Sequence, residues 1–227
     1  MDNGKYQILI VDDHPIVRHG IVQLVNRQSD LECKVEADDA ESALQILSEK
    51  DFDLIVADIS LPGLSGLDLV RRVHGTHPNL PMLVVSMHEE SIYAERALRA
   101  GARGFVMKQE ATDKLIDAMR KLLSGGVYLS RALEERMFQT FVGRPADRKH
   151  EAIASLTQRE FEVLQMIAQG LTSSQIAGRL DRSIKSVEAY RTSIRAKLGA
   201  KSMVDLARLA LEYLPNAPRK ADGEPSS

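Results

Sequence analysis

The chain has 227 residues, of which 44 % are hydrophobic and 27 % charged, with a formal net charge of -2 and a single cysteine. This is enough apolar material to bury the core of one large domain or two ordinary ones, while the longest apolar runs, such as 8–11 and 82–85, fall far short of the roughly 18 residues that a membrane span needs. Cys33 excludes an internal disulfide and a multi-cysteine zinc site, and its apolar-leaning neighbours make it a small buried residue.

The opening Met-Asp-Asn-Gly-Lys leads straight into an apolar run and lacks the form of a secretory signal, so a cytoplasmic location is expected. Short β-branched runs at 8–11, 32–35, 54–57, 82–86 and 104–107 then alternate with helix-period segments at 16–25, 40–47, 67–73 and 92–100. The alternation predicts a five-stranded parallel sheet with helices on both faces. Such sheets hold ligands at the carboxyl ends of their strands, near a reversal of strand order.

Beyond Gly125-Gly126 the strand signals stop. A helix capped by Ser130 is expected over 130–141, and 142–155, with Gly143, Pro145 and Arg148, reads as a linker. Four helices follow at 158–168, 174–180, 184–198 and 203–213, forming an all-helical unit, and the Pro- and Ser-rich 215–227 reads as a disordered tail. The expected domains are therefore 6–123, a connecting 124–150, 151–216 and the tail 217–227. Positions 6 to 123 carry 19 Asp and Glu against 13 Lys and Arg, whereas 124 to 216 carry 10 against 14. Solvated faces differ by this much routinely, so charge alone leaves nucleic-acid binding open.

Asp12 and Asp13 follow the first strand, Asp58 ends the third, Ser86 the fourth and Lys108 the fifth. Parallel strands deliver their carboxyl ends to one edge, so three carboxylates, a hydroxyl and an ammonium converge there. Carboxylates this close raise one another's pKa unless a cation sits among them. A hard divalent ion, Mg²⁺, resolves the conflict and favours a phosphoryl oxygen in its shell. The chemistry this suggests is phosphoryl transfer with Asp58 as nucleophile, Lys108 neutralising the phosphoryl charge and Ser86 hydrogen-bonding one of its oxygens. Taken singly, the same residues read as a helix cap before Pro15, the start of a Pro62-Gly63 turn and a surface lysine. Their convergence from four strands favours a site.

These residues lie in Ile8-Leu-Ile-Val-Asp12-Asp13-His14-Pro15, Asp53-Leu-Ile-Val-Ala-Asp58-Ile-Ser-Leu-Pro-Gly63, Val84-Val-Ser86-Met and Gly101-Ala-Arg-Gly-Phe105-Val-Met-Lys108, and there the chain resembles the receiver domain of bacterial two-component response regulators. The resemblance implies a flavodoxin-like fold and transfer of a phosphoryl group from a sensor histidine kinase to Asp58. It further implies Mg²⁺ held by Asp13, Asp58 and the backbone carbonyl of Ser60, with Asp12 acting mainly through a metal-bound water. Ser86 and Phe105 become a switch pair, the hydroxyl moving toward the phosphoryl group and the ring filling the vacated space. Two departures from the family's pattern stand out: Gln109 follows Lys108, where many members have Pro or Asp, and Phe105 replaces the frequent Tyr, which makes its output contact apolar.

In the helical back end, Thr157 and Glu160 have capping-box spacing, Phe161, Leu164 and Ile167 form an apolar stripe, and Gly170 stops the helix. A short helix, a tight turn and a longer basic helix follow, which is helix-turn-helix grammar; an ordinary four-helix domain has the same periodicity. Residues 151–214 resemble the LuxR/FixJ/NarL-type DNA-binding domain throughout. The resemblance places 184–198 in the major groove, with Lys185, Glu188, Ala189, Arg191 and Thr192 facing DNA, and Arg195 and Lys197 as phosphate contacts or surface charge. Glu188 either accepts from a cytosine amino group or orients Arg191, or makes a plain intrahelical pair with Arg191 or Thr192. Tyr190 stands where the family usually has His. The last helix, with Met203, Leu206, Leu209, Ala210 and Tyr213, reads as a dimerisation helix or as core, and one helix can serve both.

The expected protein is a DNA-binding response regulator, not an enzyme beyond its own phosphoryl transfer and autodephosphorylation. Its implied partners are a histidine kinase, double-stranded promoter DNA, RNA polymerase and a second copy of itself, with no membrane. Phosphorylation would release or re-pair the domains across 125–155. Two other readings stay open. A Mg²⁺-dependent phosphatase of the haloacid-dehalogenase type also uses an aspartyl nucleophile, but it places an acid two residues later, where this chain has His14 and Ser60. A third reading keeps the DNA-binding domain but makes the receiver a phosphate-independent docking module.

Overall fold

The β-branched runs pair as five parallel strands, β1 (Tyr6–Val11), β2 (Leu31–Ala37), β3 (Leu54–Asp58), β4 (Met82–Ser86) and β5 (Gly104–Met107), in the order β2-β1-β3-β4-β5. The structure is a computed structural model that describes residues 4–87, 90–142, 152–153 and 155–214. Positions 143–151 and 154 of the expected linker, and the tail 215–227, lie outside the described residues. The chain divides into two compact units, Met1–Phe141 and Val142–Ser227.

In the first unit the strands alternate with α1 (Pro15–Asn26), α2 (Ala40–Glu49), α3 (Gly66–Thr76), α4 (Glu90–Ala100) and α5 (Ala111–Leu123). Ile8, Ile10, Leu54, Val56, Leu83 and Val85 point from the sheet into one cluster with Ile21 and Val25 of α1 and Leu115, Met119 and Leu122 of α5. Each such side chain, fully buried, contributes about 1.5–3 kcal/mol. Cys33 belongs to the same cluster, and burial pushes its thiol up to about 11. The expected flavodoxin-like sheet is therefore present, with α5 an added helix that the sequence pattern had not separately marked.

The helix expected in the connecting segment, α6 (Arg131–Phe141), belongs to the first unit. Ser130 Oγ accepts from the Leu133 backbone N–H at 3.1 Å and donates to Glu90 Oε2 of α4 at 2.5 Å, while Arg136 Nη1 donates to the Ser91 carbonyl at 2.9 Å. Leu133 is buried. Ahead of α6, Tyr128 bridges to Gly104: its N–H donates to the Arg103 carbonyl at 2.9 Å and its carbonyl accepts from the Phe105 N–H at 3.1 Å. No strand was expected after Gly126, because a single-residue bridge leaves no alternation to read.

The second unit contains α7 (Gln158–Ala168), α8 (Ser173–Leu180), α9 (Ile184–Leu198) and α10 (Met203–Tyr213), the expected four helices. Thr157 and Glu160 form the expected capping box, and Thr172 and Gln175 form a second one at the start of α8. Asp181, in the left-handed conformation at φ 49, makes the turn between α8 and α9; Asp tolerates this region better than most residues. Phe161, Leu164, Ile176, Val187, Ile194, Leu206 and Ala210 form the core.

Candidate functional site

β1 and β3 lie side by side where the strand order reverses, which is where open parallel sheets bind ligands. β1 delivers Asp12 and Asp13 to this edge, β3 delivers Asp58, and Lys108 follows β5. Lys108 Nζ lies 2.7 Å from Asp12 Oδ2 and 2.7 Å from Asp58 Oδ2, with the side chains of both carboxylates 2 % exposed. Asp12 Oδ1 accepts from the His14 backbone N–H at 2.9 Å. Both Asp12 oxygens therefore have donors, whereas Asp58 Oδ1 and Asp13 Oδ1 are buried without a hydrogen-bond partner among the described residues. His14 Nδ1 approaches Asp13 Oδ1 to 2.6 Å as an ion-pair contact, without hydrogen-bond alignment.

Burial is the largest influence on Asp58 and raises its pKa, outweighing the Lys108 ammonium that favours the charged form. Lys108 shows the opposite balance. Burial disfavours its charge, but the Asp58 charge and hydrogen bonds to both carboxylates prevail and its pKa is raised. One ammonium thus serves Asp12 and Asp58, with Asp13 beside them, and Asp13 and Asp58 each keep a buried oxygen without a hydrogen bond among the described residues. Ligand atoms of Asp12, Asp13, His14 and Asp58 lie within 4.8 Å of one another. Hard oxygen donors with excess negative charge suit Mg²⁺. Ser60, two residues past Asp58, lies in the exposed loop after β3.

Ser86 ends β4 in register with Met107, and Phe105 pairs with Val84. Side chains two apart on a strand share a face, so Ser86 and Phe105 lie on one face of the sheet, both buried.

Two contributors were not singled out from the sequence. Arg18 Nη1 donates to the Asp12 carbonyl at 2.5 Å, tying the end of β1 to α1. Gly66 opens α3 against the phosphoacceptor candidate itself: a Cβ there would lie 1.9 Å from the Asp58 carbonyl oxygen and 2.8 Å from Ile59 Cα. Its N–H donates to the Ile59 carbonyl at 3.0 Å. Gly66→Ala is expected to displace the Asp58 backbone and weaken Mg²⁺ binding at least tenfold; calorimetric titration giving wild-type affinity would refute this.

In the second unit Lys185, Glu188, Ala189 and Thr192 are exposed along α9, and Arg191 and Arg195 are half-buried. Glu188 Oε1 accepts from Ser173 Oγ at 2.5 Å, and Arg191 Nη1 donates to the same hydroxyl at 2.6 Å. Glu188 therefore pairs across to α8 rather than within its own helix, and Thr192 Oγ1 bonds its backbone carbonyl at 2.9 Å instead. Lys197, expected as a phosphate contact or surface charge, is exposed and pairs back to α7. Its Nζ donates to Glu160 Oε2 at 2.6 Å and to the Ser155 carbonyl at 3.2 Å, so its charge is committed to holding α9 on α7. Leu206, Leu209 and Ala210 of α10 are buried in the core, whereas Val204 and Leu211 are exposed.

Among the described residues no helix is long and apolar enough to cross a membrane. Residues 8–120 match the response regulator receiver domain family and 154–210 the luxR family of bacterial regulatory proteins. The oxygen regulatory protein NreC of Staphylococcus carnosus is 33 % identical over 210 residues, covering 91 % of this chain and 97 % of that protein. The fimbriae Z protein of Salmonella typhimurium is 34 % identical over 206 residues, covering 91 % and 96 %. Among solved structures, a complex of the two-component response regulator RcsB with DNA is similar at a TM-score of 0.70 and 27 % identity, covering 91 % of this chain and 99 % of that one. RcsB from Salmonella enterica serovar Typhimurium, bound to promoter rprA in the presence of the phosphomimetic BeF3-, aligns at a TM-score of 0.67 and 25 % identity, covering 91 % and 98 %. A sheet edge lined with aspartates, a helix-turn-helix unit and relatives matched along nearly their whole length agree: this chain belongs to the LuxR-class response regulators, transcriptional regulators built from a receiver and a LuxR-type DNA-binding domain and not metabolic enzymes.

Proposed function

We propose that this regulator is switched by phosphorylation of Asp58 and binds promoter DNA as a dimer. The observation that carries the proposal is Asp58 itself: Lys108 holds Oδ2, while Oδ1 is buried, open and beside Asp13. Oδ1 is then the nucleophile. It forms the P–O bond as the P–N bond to a histidine of a sensor kinase breaks and the imidazole leaves. Lys108 is placed to follow the phosphoryl oxygens and offset their charge. Mg²⁺, when bound, would supply further neutralisation of those oxygens, with Asp13, Asp58 and the Ser60 carbonyl holding it and Asp12 acting through a water. Asp12 suits that indirect role, since both its oxygens are engaged.

The Ser86 hydroxyl turning toward the phosphoryl group and the Phe105 ring filling its space make the switch. The Phe105 N–H is bonded to the Tyr128 carbonyl, so a change there reaches the segment that seats α6 on α4. Phosphorylation with Mg²⁺ is therefore expected to raise amide exchange over 127–141 at least several-fold; unchanged exchange in phosphorylated protein would exclude this output path.

On DNA, α9 presents Lys185, Glu188, Ala189, Arg191 and Thr192 to base edges, with Arg195 toward phosphates. Ser173 orients Glu188 and Arg191 together. The exposed Val204 and Leu211 of α10 suit the dimer contact. RcsB, to which this chain is similar, has a structure of two dimers bound to two parallel DNAs. The kinase, RNA polymerase and a cytoplasmic location complete the reading.

The test is intact mass after incubation with a small acyl-phosphate donor and Mg²⁺, followed by promoter binding. The wild type should gain one phosphoryl group and bind DNA more tightly. Asp58→Ala should do neither, and an adduct or a phosphate response persisting in that variant would sink the proposal.

A further inference from the structure

His14 sits at the mouth of the acidic site with its side chain 62 % exposed, and its Nδ1 lies 2.6 Å from Asp13 Oδ1 and 3.5 Å from Asp12 Oδ1. Asp13 Oδ1 is one of the two open buried carboxylate oxygens; Asp58 Oδ1 is the other. All four residues offer ligand atoms within 4.8 Å of one another. Two atoms bonded at a right angle to a cation, each about 2.1 Å from it, are about 3 Å apart. The Asp13 oxygen and His14 nitrogen stand 2.6 Å apart, somewhat inside that separation, so a modest opening of the pair would seat a cation between them.

We infer that His14 is a further ligand of this receiver's cation site and that it selects a borderline divalent transition-metal ion, such as Ni²⁺, beyond what the carboxylates alone would favour. The inference rests on the reading of Asp13 and Asp58 as the cation site. An imidazole nitrogen adds little for Mg²⁺, which prefers oxygen, and much for the borderline metals. The backbone supports this placement. The His14 N–H is bonded to Asp12 Oδ1 and the Asp12 carbonyl to Arg18, so the turn carrying the ring is fastened to both neighbours. Pro15 at the first position of α1 restricts it further.

The experiment is calorimetric titration of the full chain with Mg²⁺ and, separately, with Ni²⁺, comparing wild type, His14→Ala and His14→Gln, with thermal melts to establish folding. His14→Ala should weaken Ni²⁺ binding tenfold or more while changing Mg²⁺ binding less than twofold, and Gln should not restore Ni²⁺. Ni²⁺ affinity that is unchanged, or that falls in step with Mg²⁺, overturns the inference. Asp13→Ala should lose both ions; Ni²⁺ binding retained there places the metal elsewhere and also overturns it. The phosphoryl adduct, followed by mass with Mg²⁺ present, separates the two claims. An adduct with an unchanged Ni²⁺ to Mg²⁺ ratio removes only the role of His14, and a wild type without an adduct removes the phosphorylation reading while the ratio still decides the ligand.

Discussion

Lys108→Met is expected to destabilise the receiver by about 3–5 kcal/mol at neutral pH, the usual cost of removing one partner from a buried ion pair. The ammonium lies 2.7 Å from two carboxylates whose side chains are 2 % exposed. Without it, Asp12 and Asp58 face each other uncompensated. Burial already raises the Asp58 pKa with Lys108 in place, and loss of the cation raises it further. A carboxyl whose folded pKa is raised favours the folded state most when protonated; its contribution is full below the ordinary carboxylate range and is lost as pH rises through the raised value. The Lys108→Met penalty should therefore shrink on acidification, and Lys108→Met with Asp58→Asn should recover much of it at pH 7. Calorimetric melts of the full chain between pH 5 and 8 measure this. A penalty that grows toward acid, or a double variant no more stable than the single, would contradict the account.

Glu160→Ala is expected to unfold the DNA-binding unit at a markedly lower temperature. Glu160 is buried, yet its carboxylate accepts from the Thr157 N–H at 2.6 Å, Ser193 Oγ at 2.5 Å and Lys197 Nζ at 2.6 Å. Burial alone would raise its pKa, but the Lys197, Ser193 and Thr157 hydrogen bonds together bring it from the ordinary 4.5 down to about 2. That depression corresponds to about 3 kcal/mol of stability. The sign is that of a lowered carboxylate: the contribution is full above pH 4.5 and is lost as pH falls toward about 2. Truncation also takes this acceptor from the Thr157 N–H, the Ser193 hydroxyl and the Lys197 ammonium, of which Thr157 and Lys197 are exposed and Lys197 keeps the Ser155 carbonyl. The expected result is loss of the second unit's cooperative melt, or a fall of its midpoint by more than 10 °C, with the receiver melt unchanged. A shift of only a degree or two at pH 7 would mean that Lys197 and Ser193 find other partners. DNA affinity should fall in proportion to the unfolded fraction, not through a lost contact.

The same hub contains a pairing that the sequence did not indicate. Lys197 lies on a basic helix and reads from sequence as surface charge, because nothing local distinguishes a lysine facing a phosphate from one facing a glutamate 37 positions away. Glu188 is a parallel case. Both intrahelical partners considered for it are within reach on α9, yet its carboxylate goes to Ser173, 15 residues earlier. The receiver's acidic set was more legible, since every member sits at the end of a β-branched run and parallel pairing leaves those ends no other place to go. What stayed hidden there was the support: the approach of Gly66 to the Asp58 carbonyl and the clamp of Arg18 on Asp12. A glycine at a helix start and an arginine on a helix have many ordinary uses, so neither carries a local signal.

By itself, then, the sequence determined what depends on local periodicity and chain direction: five parallel strands, four C-terminal helices, the capping box at Thr157 and the convergence of Asp12, Asp13, Asp58, Ser86 and Lys108 on one edge. Tertiary structure decided what depends on which groups meet across the fold. It left Asp58 Oδ1 and Asp13 Oδ1 open while closing both Asp12 oxygens, paired Lys197 with Glu160, and seated α6 on the receiver through Ser130 and Arg136. The division follows from range. Helix and strand patterns are set by neighbours a few residues apart, whereas the state of a buried charge is set by partners that only the folded chain brings within about 3 Å.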